Sequence, residues 1–490
     1  MSDDGKNSGA PPAPFGPHDG AAFEKFSARL TAEMRRYLET VRERPVRDWK
    51  AGDTIKITHH FTPSRDGGGM EAMFTGLHAI LDDSTQLQHP KYVGHQVSAP
   101  IPAAALLGMV EGIINQGMAV GEMSPALSTI EAQLITWMGS LAGLPGECSG
   151  YFTSGGSEAN LVALLAARNA RAGGAIWTDG AKTAQRPGIL VSSHGHYSIS
   201  RAVGILGLGT KAIRQVPVNE KFRMTATAAR RALDESRRDG VEPFCLVAAA
   251  GCTPVGAIDE LEEIGALCAA EGLWFHVDGA HGASLLLSEK TAGRLRGIGR
   301  ADTLAWDPHK MMSMPLGMGA VIARDRQPLL DAYRQDAPYI FHPEDGDALP
   351  NPGEISLTCS RPGEALKLWG VLVLYGSKLF AEIIERQCAN TAALHELLRA
   401  SGDFIPLHEP DSNILCFQHR PKHWAELDAE ELGRRNFLLH QAVNRSGEAW
   451  ITSTLLGGRR VLRMTLMNPA TTTRDLEEII ASMRELAEKI

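Results

Sequence analysis

The stretch GYFTSGGSEANLVALLAARNAR, residues 150–171, joins a short apolar run to a longer segment through a pair of glycines. The run GYFTS is typical of a buried strand, whereas EANLVALLAARNAR is typical of a helix. A helix that begins at Ser124 and Pro125 and continues through Glu131 to Trp137 is predicted just before it. Helix, strand, glycine turn and helix in this order indicate an α/β fold.

The same alternation continues to about residue 325. Helical stretches such as IDELEEIGALCAAEG, residues 258–272, separate further short apolar runs. The predicted strands are GILVSS (188–193), FCLVAAA (244–250), LWFHVD (273–278) and GAVIAR (319–324). Repeated strand and helix units predict a largely parallel sheet that is covered by helices on both faces.

The composition limits the classes of function. The 490 residues are 43% hydrophobic, with 49 basic and 57 acidic side chains and a net charge of -8, and no basic stripe is present. These values favour a globular protein with a sizeable core and argue against nucleic acid as a partner. The 7 cysteines are scattered without a CxxC pair, which argues against a zinc site and suits a reducing cytoplasm. No signal peptide or membrane-spanning run is found.

Four regions are predicted along the chain. Residues 1–22 are a polar, Pro/Gly-rich flexible tail, and residues 23–100 form an N-terminal helical segment that packs on a partner subunit. The segment opens with an amphipathic helix over 23–44, in which apolar residues form a stripe: Phe23, Phe26, Leu30, Met34 and Leu38. Residues 101–370 form the large domain, which ends with a long loop over 337–352, and residues 371–490 form a small C-terminal domain.

TSGGSEAN, residues 153–160, places two glycines and Ser157 between a strand and the first turn of a helix. Glycines allow a ligand to approach the backbone, and a helix N-terminus attracts anions, so the motif predicts a phosphate site. Two alternatives stay open. Ser157 caps the helix, or Gly155 to Ala159 forms the nucleophile elbow of a serine hydrolase, although its last glycine is missing.

HVDGAH, residues 276–281, places Asp278 at the C-terminal end of a predicted strand. Ligands of parallel sheets bind beyond these strand ends. A carboxylate there could keep a pyridine nitrogen protonated, which makes the ring an electron sink. Alternatively, Asp278 caps the following turn.

WDPHKMM, residues 306–312, carries Lys310, whose amine could form a Schiff base with an aldehyde cofactor. Taken alone, Lys310 would be interpreted as a surface charge. A single cofactor, however, explains the phosphate motif, the ring acid and the amine in chain order.

From about His89 to the C-terminus, these motifs resemble the pyridoxal-phosphate decarboxylases of glutamate, cysteine sulfinate, diaminobutyrate and aromatic amino acids. The resemblance implies the aspartate aminotransferase-like fold, called fold type I, with a mostly parallel seven-stranded sheet and a small C-terminal α+β domain. It also implies that Lys310 holds pyridoxal 5'-phosphate. The other cofactor contacts implied by the resemblance are Gly156, Ser157, His196, Thr253, Asp278, Ala280 and His309.

The resemblance also implies residues that act on the substrate. Tyr339, in YIFHPED, is similar to the loop tyrosine that protonates the substrate carbon, and its presence favours decarboxylation over aldehyde formation. Arg463, in VLRMTLMNPA, would bind the substrate carboxylate, and Arg361 would be structural. His95 and Gln96 would line the substrate pocket of a cytoplasmic homodimer whose active sites lie at the subunit interface.

Two positions depart from the family pattern: Gly279 stands where an alanine is usual, and His281 stands where an aromatic residue is usual. His281 lies close enough to the ring segment to alter substrate or reaction preference. YIFHPED and TCSRPGEALKLW are closer to the family members that act on small polar substrates. We therefore expect a small polar or acidic substrate such as glutamate, aspartate or cysteine sulfinate. The alternatives are L-2,4-diaminobutyrate or an aromatic amino acid, a serine hydrolase that uses Ser157, and a catalytically silent scaffold.

Overall fold

The computed structural model describes residues 19–48, 65–171, 176–180, 186–333, 337, 340–341 and 349–490. Its centre is a seven-stranded sheet with the strand order β1-β7-β6-β5-β4-β2-β3. These strands are β1 (Ser149–Thr153), β2 (Arg186–Ser192), β3 (Ile213–Val216), β4 (Val241–Ala249), β5 (Trp274–Asp278), β6 (Thr303–Trp306) and β7 (Gly319–Ala323). β7 is antiparallel to β1 and β6, and the other neighbouring pairs are parallel.

Helices surround this sheet and continue beyond it. In the described ranges they are α1 (Gly20–Thr40), α2 (Gly69–Asp83), α3 (Pro102–Ile114), α4 (Pro125–Leu141), α5 (Gly156–Arg171), α6 (Ile176–Asp179), α7 (Tyr197–Ile205), α8 (Ala226–Arg238), α9 (Leu261–Glu271), α10 (Glu289–Ala292), α11 (Gln327–Ala332), α12 (Ala365–Ser401), α13 (Ala429–Ser446) and α14 (Thr473–Ala487). α12 is interrupted at Gly376, where φ is 71° and ψ is 173°.

Both faces of the large sheet are buried. Successive residues of a strand point to opposite faces, and here they enter different cores. Leu246 and Leu304 belong to one apolar cluster, whereas Val247 and Ala305 belong to a second cluster that includes α5. The prediction of a mostly parallel sheet covered on both faces is confirmed.

A second sheet lies in the C-terminal region. Its four strands have the order β10-β11-β9-β8, and their neighbouring pairs are antiparallel. The strands are β8 (Phe404–Pro406), β9 (Ile414–His419), β10 (Thr452–Leu456) and β11 (Arg459–Thr465). Their buried side chains share a core with α13 and α14. This arrangement confirms the predicted fold class, a large α/β part with a small C-terminal α+β part.

The boundaries of the four predicted regions remain proposals. The boundary between residues 370 and 371 falls inside α12, shortly before the interruption at Gly376. The N-terminal helix begins at Gly20 rather than residue 23 and continues as a short 3-10 helix over Val41–Glu43. No residue of α1 is fully buried.

Arg361 has the surroundings of a structural residue. Its guanidinium forms a two-point ion pair with Glu131 on α4, and both side chains are almost completely buried. The ring of Tyr151 on β1 lies 5.2 Å from the guanidinium carbon of Arg361. Arg361 therefore connects α4, β1 and the chain segment that precedes α12.

Among the described helices, none combines the length and the apolar character that a membrane span requires.

Candidate active site

A cavity of about 640 Å³ opens at the carboxyl ends of β4, β5 and β6. Most of the site residues predicted from the sequence lie along its wall. They are Gln96, Gly156, Ser157, His196, Thr253, Asp278, Ala280, His309 and Lys310. The chain thus brings together residues of distant motifs at the sheet edge where parallel folds bind ligands.

The turn between β1 and α5 forms a narrow cradle on one side of this cavity. Gly155 has a φ of 145°, which side chains rarely adopt. A Cβ on Gly156 would lie 2.8 Å from Cβ of Ala280 and 2.9 Å from Oδ2 of Asp307. Both glycines are therefore required by the close packing. The backbone N–H groups of the first turn of a helix are suited to binding a phosphate.

Ser157 is exposed at this first turn. Among the described residues, its hydroxyl has no histidine within hydrogen-bonding distance that could act as a base. The arrangement is consistent with the predicted phosphate contact and gives no support to the serine hydrolase alternative.

Asp278 lies on the cavity wall at the end of β5. Its Oδ2 accepts a hydrogen bond of 3.0 Å from Nδ2 of Asn160, and its Oδ1 accepts one of 3.2 Å from the backbone of Ala280. Both bonds fix the orientation of the carboxylate. Asp278 is thus positioned as an anionic acceptor facing the cavity.

Lys310 follows β6 and reaches the cavity beside a buried carboxylate. Its Nζ lies 3.0 Å from Oδ2 of Asp307, a side chain that is 1% exposed. Nε2 of His309 lies 3.6 Å from the same oxygen, and Nδ1 of His309 is buried without a partner among the described residues. Burial lowers the pKa of His309. An anionic group in the cradle would give His309 the partner that it lacks.

His196 caps the N-terminus of α7 and lines the cavity. Its Nδ1 lies 2.8 Å from the hydroxyl of Ser198 and accepts a hydrogen bond of 3.3 Å from the Ser198 backbone. Burial lowers the pKa of His196. The imidazole ring of His196 is therefore held in place through its Nδ1 edge.

Arg463 is placed behind the cavity wall and does not line the cavity. It is 6% exposed, and its guanidinium donates to the carbonyl oxygens of Thr253, Pro254 and Gly94 and to the Thr452 hydroxyl. In the described part of the chain, none of these partners is a carboxylate. Burial lowers the pKa of Arg463. Its guanidinium thus lies directly behind Thr253, which lines the cavity.

The two residues of the predicted substrate pocket have different positions. Gln96 lines the cavity, and its Nε2 is buried without a partner in the described ranges. His95 is exposed and does not contribute to the cavity wall of this chain. Tyr339, the third residue expected to act on the substrate, lies outside the described residues.

Both departures from the family pattern are explained by packing. An alanine at Gly279 would bring its Cβ to 2.9 Å from Cβ of Ala283 and from Cδ1 of Leu304. His281 lines the cavity, and its Nε2 lies 2.6 Å from Oδ1 of Asn413. Burial lowers the pKa of His281 to about 3, so the ring is neutral.

Several residues of the wall were given no role from the sequence, among them Asn160, His194, Cys252 and Asp307. Asn160 and Asp307 stand within motifs that were recognised, and each carries a sequence signal. Asp307 follows the strand-like run DTLAW, residues 302–306, as Asp278 follows LWFHV, and Asn160 is a polar residue on a largely apolar helix. His194 stacks on Phe222 with ring centroids 5.7 Å apart, a contact between segments that sequence spacing does not reveal.

The site fits pyridoxal phosphate. Gly155 and Gly156 line the cavity at the first turn of α5, a place suited to a phosphate, and Nδ1 of His309 is buried without a partner among the described residues. On the wall of the same cavity, Asp278 offers a carboxylate to a pyridine nitrogen, and Lys310 offers a primary amine. These groups are the ones that bind the phosphate, the ring nitrogen and the aldehyde of this cofactor.

Comparisons with known proteins agree with this geometry. Residues 64–420 match the model of the pyridoxal-dependent decarboxylase conserved domain. The chain is 31% identical over 418 residues to an aromatic-L-amino-acid decarboxylase of Bacillus atrophaeus, covering 84% of each chain. It is also 31% identical over 430 residues to an L-2,4-diaminobutyrate decarboxylase of Rhizobium meliloti (strain 1021), covering 85% of this chain and 83% of the relative.

A solved structure agrees as well. The crystal structure of mouse CSAD superposes with a TM-score of 0.89 at 25% identity, covering 96% of this chain and 99% of that chain. The match with the family model, the identity to these relatives and the fit of the cavity lead to one conclusion: the chain belongs to the pyridoxal-dependent decarboxylase family and is a pyridoxal-phosphate-dependent amino acid decarboxylase.

Proposed function

We propose that the substrate is a small L-amino acid with a polar, acidic side chain, such as glutamate, aspartate or cysteine sulfinate. The observation that carries this proposal is the buried Nε2 of Gln96, a hydrogen-bond donor without an acceptor in the described part of the chain. A carboxylate or sulfinate would accept from it. An aromatic ring would leave it unpaired, at a cost of about 1–3 kcal/mol.

A second candidate is L-2,4-diaminobutyrate. The relative from Rhizobium meliloti, 31% identical over 430 residues, bears that substrate in its name. Its side chain ends in an amine, which needs an acceptor, so the Gln96 amide would have to turn and present Oε1 in place of Nε2. The two candidates therefore require opposite orientations of the Gln96 amide.

The residues of the cavity suggest a division of roles. Pyridoxal phosphate, when bound, supplies a protonated ring that takes up the electrons released as carbon dioxide leaves. We assign the covalent attachment to Lys310, the charge opposite the ring nitrogen to Asp278, and the stacking contact to His196. Arg463 would attract the substrate carboxylate towards Thr253. Tyr339 would return a proton to the substrate carbon.

A panel of amino acids tests the substrate proposal. We expect carbon dioxide from aspartate, glutamate or cysteine sulfinate, and Gln96→Leu should raise KM for that substrate about tenfold. Gln88→Leu is the matched control, because Nε2 of Gln88 donates to the Pro100 carbonyl outside this cavity. Release from diaminobutyrate or an aromatic amino acid alone would overturn the proposal. Release from none would support the silent scaffold.

The role of Tyr339 has its own test. With the accepted substrate, Tyr339→Phe removes the hydroxyl that would protonate the substrate carbon. In air, we expect the product to shift from amine to aldehyde and ammonia, with dioxygen as the oxidant and hydrogen peroxide as its product, and chromatography of amine and aldehyde would measure the shift. An unchanged yield of amine would refute the assignment.

We also propose a homodimer. Apolar side chains are exposed on neighbouring parts of α3 and α12: Leu106, Val110 and Ile113 on α3, and Val373 and Leu374 on α12. Apolar patches of this kind mark protein interfaces. A second copy of the chain would cover this patch and bring further residues near the cavity mouth.

The mass in solution tests the dimer. Ile113→Glu combined with Val373→Glu should convert a dimer to monomers, as measured by light scattering after gel filtration. Leu455→Glu is the control, because Leu455 is 55% exposed but lies on β10 of the C-terminal sheet. A monomeric wild-type protein, or a dimer that withstands the double substitution, would contradict this interface.

A location in the cytoplasm completes the proposal. Its support is the state of the cysteines, since each of the seven is a free thiol and five are buried. Burial raises the pKa of Cys252 to about 12, so this thiol stays protonated and unreactive beside the cavity.

A further inference from the structure

A chain of hydrogen bonds runs from buried side chains of β5 and β6 to His196 on the cavity wall. We call it the histidine relay, and its members are Trp274, Thr303, His276, Asn160, Ser198 and His196. Trp274, Thr303 and His276 do not line the cavity. The relay therefore connects the sheet interior with two groups that face the ligand, His196 and Asp278.

The direction of each bond follows from chemistry, beginning at Asp278. A carboxylate only accepts, so the atom of Asn160 that lies 3.0 Å away must be the amide nitrogen. The amide oxygen of Asn160 then faces Nε2 of His276 at 2.9 Å. Because that oxygen only accepts, His276 must carry a proton on Nε2.

On the far side of His276, Nδ1 has two neighbours from Thr303: the carbonyl oxygen, 3.1 Å away, which favours a proton on Nδ1, and the hydroxyl, which can donate to Nδ1. Burial lowers the pKa of His276 to about 4, so the ring is neutral and its Nδ1 is an acceptor. The hydroxyl of Thr303 lies 3.0 Å from this Nδ1. The Thr303 hydroxyl accepts a hydrogen bond of 2.9 Å from Nε1 of Trp274. The proton of the Thr303 hydroxyl is therefore free to be donated to Nδ1 of His276.

The near side leads to His196. The second N–H of the Asn160 amide donates to the Ser198 hydroxyl at 2.9 Å. The Ser198 hydroxyl can then donate to Nδ1 of His196, 2.8 Å away, and the Ser198 backbone N–H points at the same nitrogen. Nδ1 of His196 is thus an acceptor, so the proton of the neutral ring resides on Nε2.

We propose that Asn160 is a positioning residue whose amide, oriented by His276 and Thr303, holds the Asp278 carboxylate in place and fixes His196 as the Nε2–H tautomer. The site would then present an N–H donor, rather than a lone pair, from His196 to its ligand. This inference rests on the proposed roles of Asp278 and His196 and does not depend on which amino acid is the substrate.

Thr303→Val is the sharpest test, because Thr303 touches no ligand and valine preserves its shape. Without the hydroxyl, the nearby Thr303 carbonyl, 3.1 Å from Nδ1 of His276, favours a proton on Nδ1. Nε2 of His276 would then become an acceptor that faces the amide oxygen of Asn160, so the hydrogen bond that orients this amide would be lost. Thr303→Ser should restore the wild-type pattern.

Nitrogen NMR of 15N-histidine-labelled, cofactor-free protein reads the tautomers directly. In the wild type, we expect His196 and His276 to carry their protons on Nε2. Thr303→Val and Asn160→Leu should shift the His196 signals towards a mixture of tautomers and weaken the binding of pyridoxal phosphate roughly tenfold. Signals are assigned by substituting each histidine in turn.

Asn436→Leu is the matched control for lost stability. Asn436 is as buried as Asn160 and also makes several hydrogen bonds, but these join α13 to β9. Its substitution should leave the His196 signals unchanged. A wild-type His196 protonated on Nδ1, or an unchanged His196 tautomer in both relay variants, would overturn the proposal. Neither outcome depends on whether the substrate assignment holds.

Discussion

Nζ of Lys310 and Oδ2 of Asp307 lie 3.0 Å apart, and the Asp307 side chain is 1% exposed. The second oxygen, Oδ1, has no hydrogen-bond partner among the described residues. Removing the partner of a buried charge is costly, because the remaining charge stays desolvated. Lys310 therefore stabilises this carboxylate before it meets any cofactor.

Lys310→Met should destabilise the cofactor-free protein by about 3 kcal/mol, the order of magnitude for breaking a buried ion pair. Adding Asp307→Asn should recover part of this loss, since the unpaired charge is then gone. Urea denaturation of the four proteins of this double-mutant cycle gives the coupling energy. The pair Lys290 and Glu385 serves as the control, because Lys290 is 76% exposed and its coupling should stay below about 1 kcal/mol. Equal coupling in the two pairs would contradict the account.

The cradle predicts a steric effect at Gly156. Gly156→Ala places a methyl group 2.8 Å from Ala280 and 2.9 Å from Asp307, so the wall must shift. We expect the affinity for pyridoxal phosphate to fall at least tenfold, as measured by absorbance titration. Gly204→Ala, on the open side of α7 with no atom within 4 Å, should have no effect. Equal affinities in the two variants would show that the cradle does not hold the cofactor.

Buried histidines predict how stability depends on pH. Burial lowers the pKa of His276 and of His419 to about 4, and that of His281 to about 3. Below about pH 6.5 the unfolded chain protonates these rings while the folded protein does not, so stability falls as pH falls. Asp259 acts in the opposite direction, because burial raises its pKa to about 7.

Near pH 5 the unfolded chain therefore binds roughly two more protons than the folded protein. This difference corresponds to a change in the free energy of unfolding on the order of 3 kcal/mol per pH unit. Urea denaturation at several pH values between 7 and 5 measures this slope. Replacing His419 by glutamine should reduce the difference in bound protons by about one and make the slope correspondingly smaller. A stability that is constant over this range would rule out neutral buried histidines.

Much of the site could be predicted because its residues belong to short motifs at strand ends. Gly156, Asp278 and Lys310 were each ambiguous alone, but their order along the chain pointed to one cofactor, and all three line one cavity. The periodic pattern also predicted most strands of the large sheet. A local sequence pattern predicts whether a segment is a helix or a strand more reliably than it predicts which other elements that segment contacts.

The remainder depends on contacts between distant residues. Asn160 binds Asp278 and His276, which are 118 and 116 positions away, and no local spacing reveals such a contact. GAVIAR was predicted as a strand, but its antiparallel direction follows only from pairing with β1 and β6. The short strand β3, with the sequence IRQV, alternates too few apolar residues to be recognised.

The attachment of the cofactor to Lys310 is the central claim, and one measurement tests it most directly. Holoenzyme is reduced with borohydride, which makes the carbon–nitrogen bond between cofactor and lysine permanent, and is then digested and examined by mass spectrometry. The account predicts that the added phosphopyridoxyl mass lies on the peptide that contains Lys310 and is absent in Lys310→Ala. The same mass on another lysine, or no added mass in an enzyme that releases carbon dioxide, would contradict it.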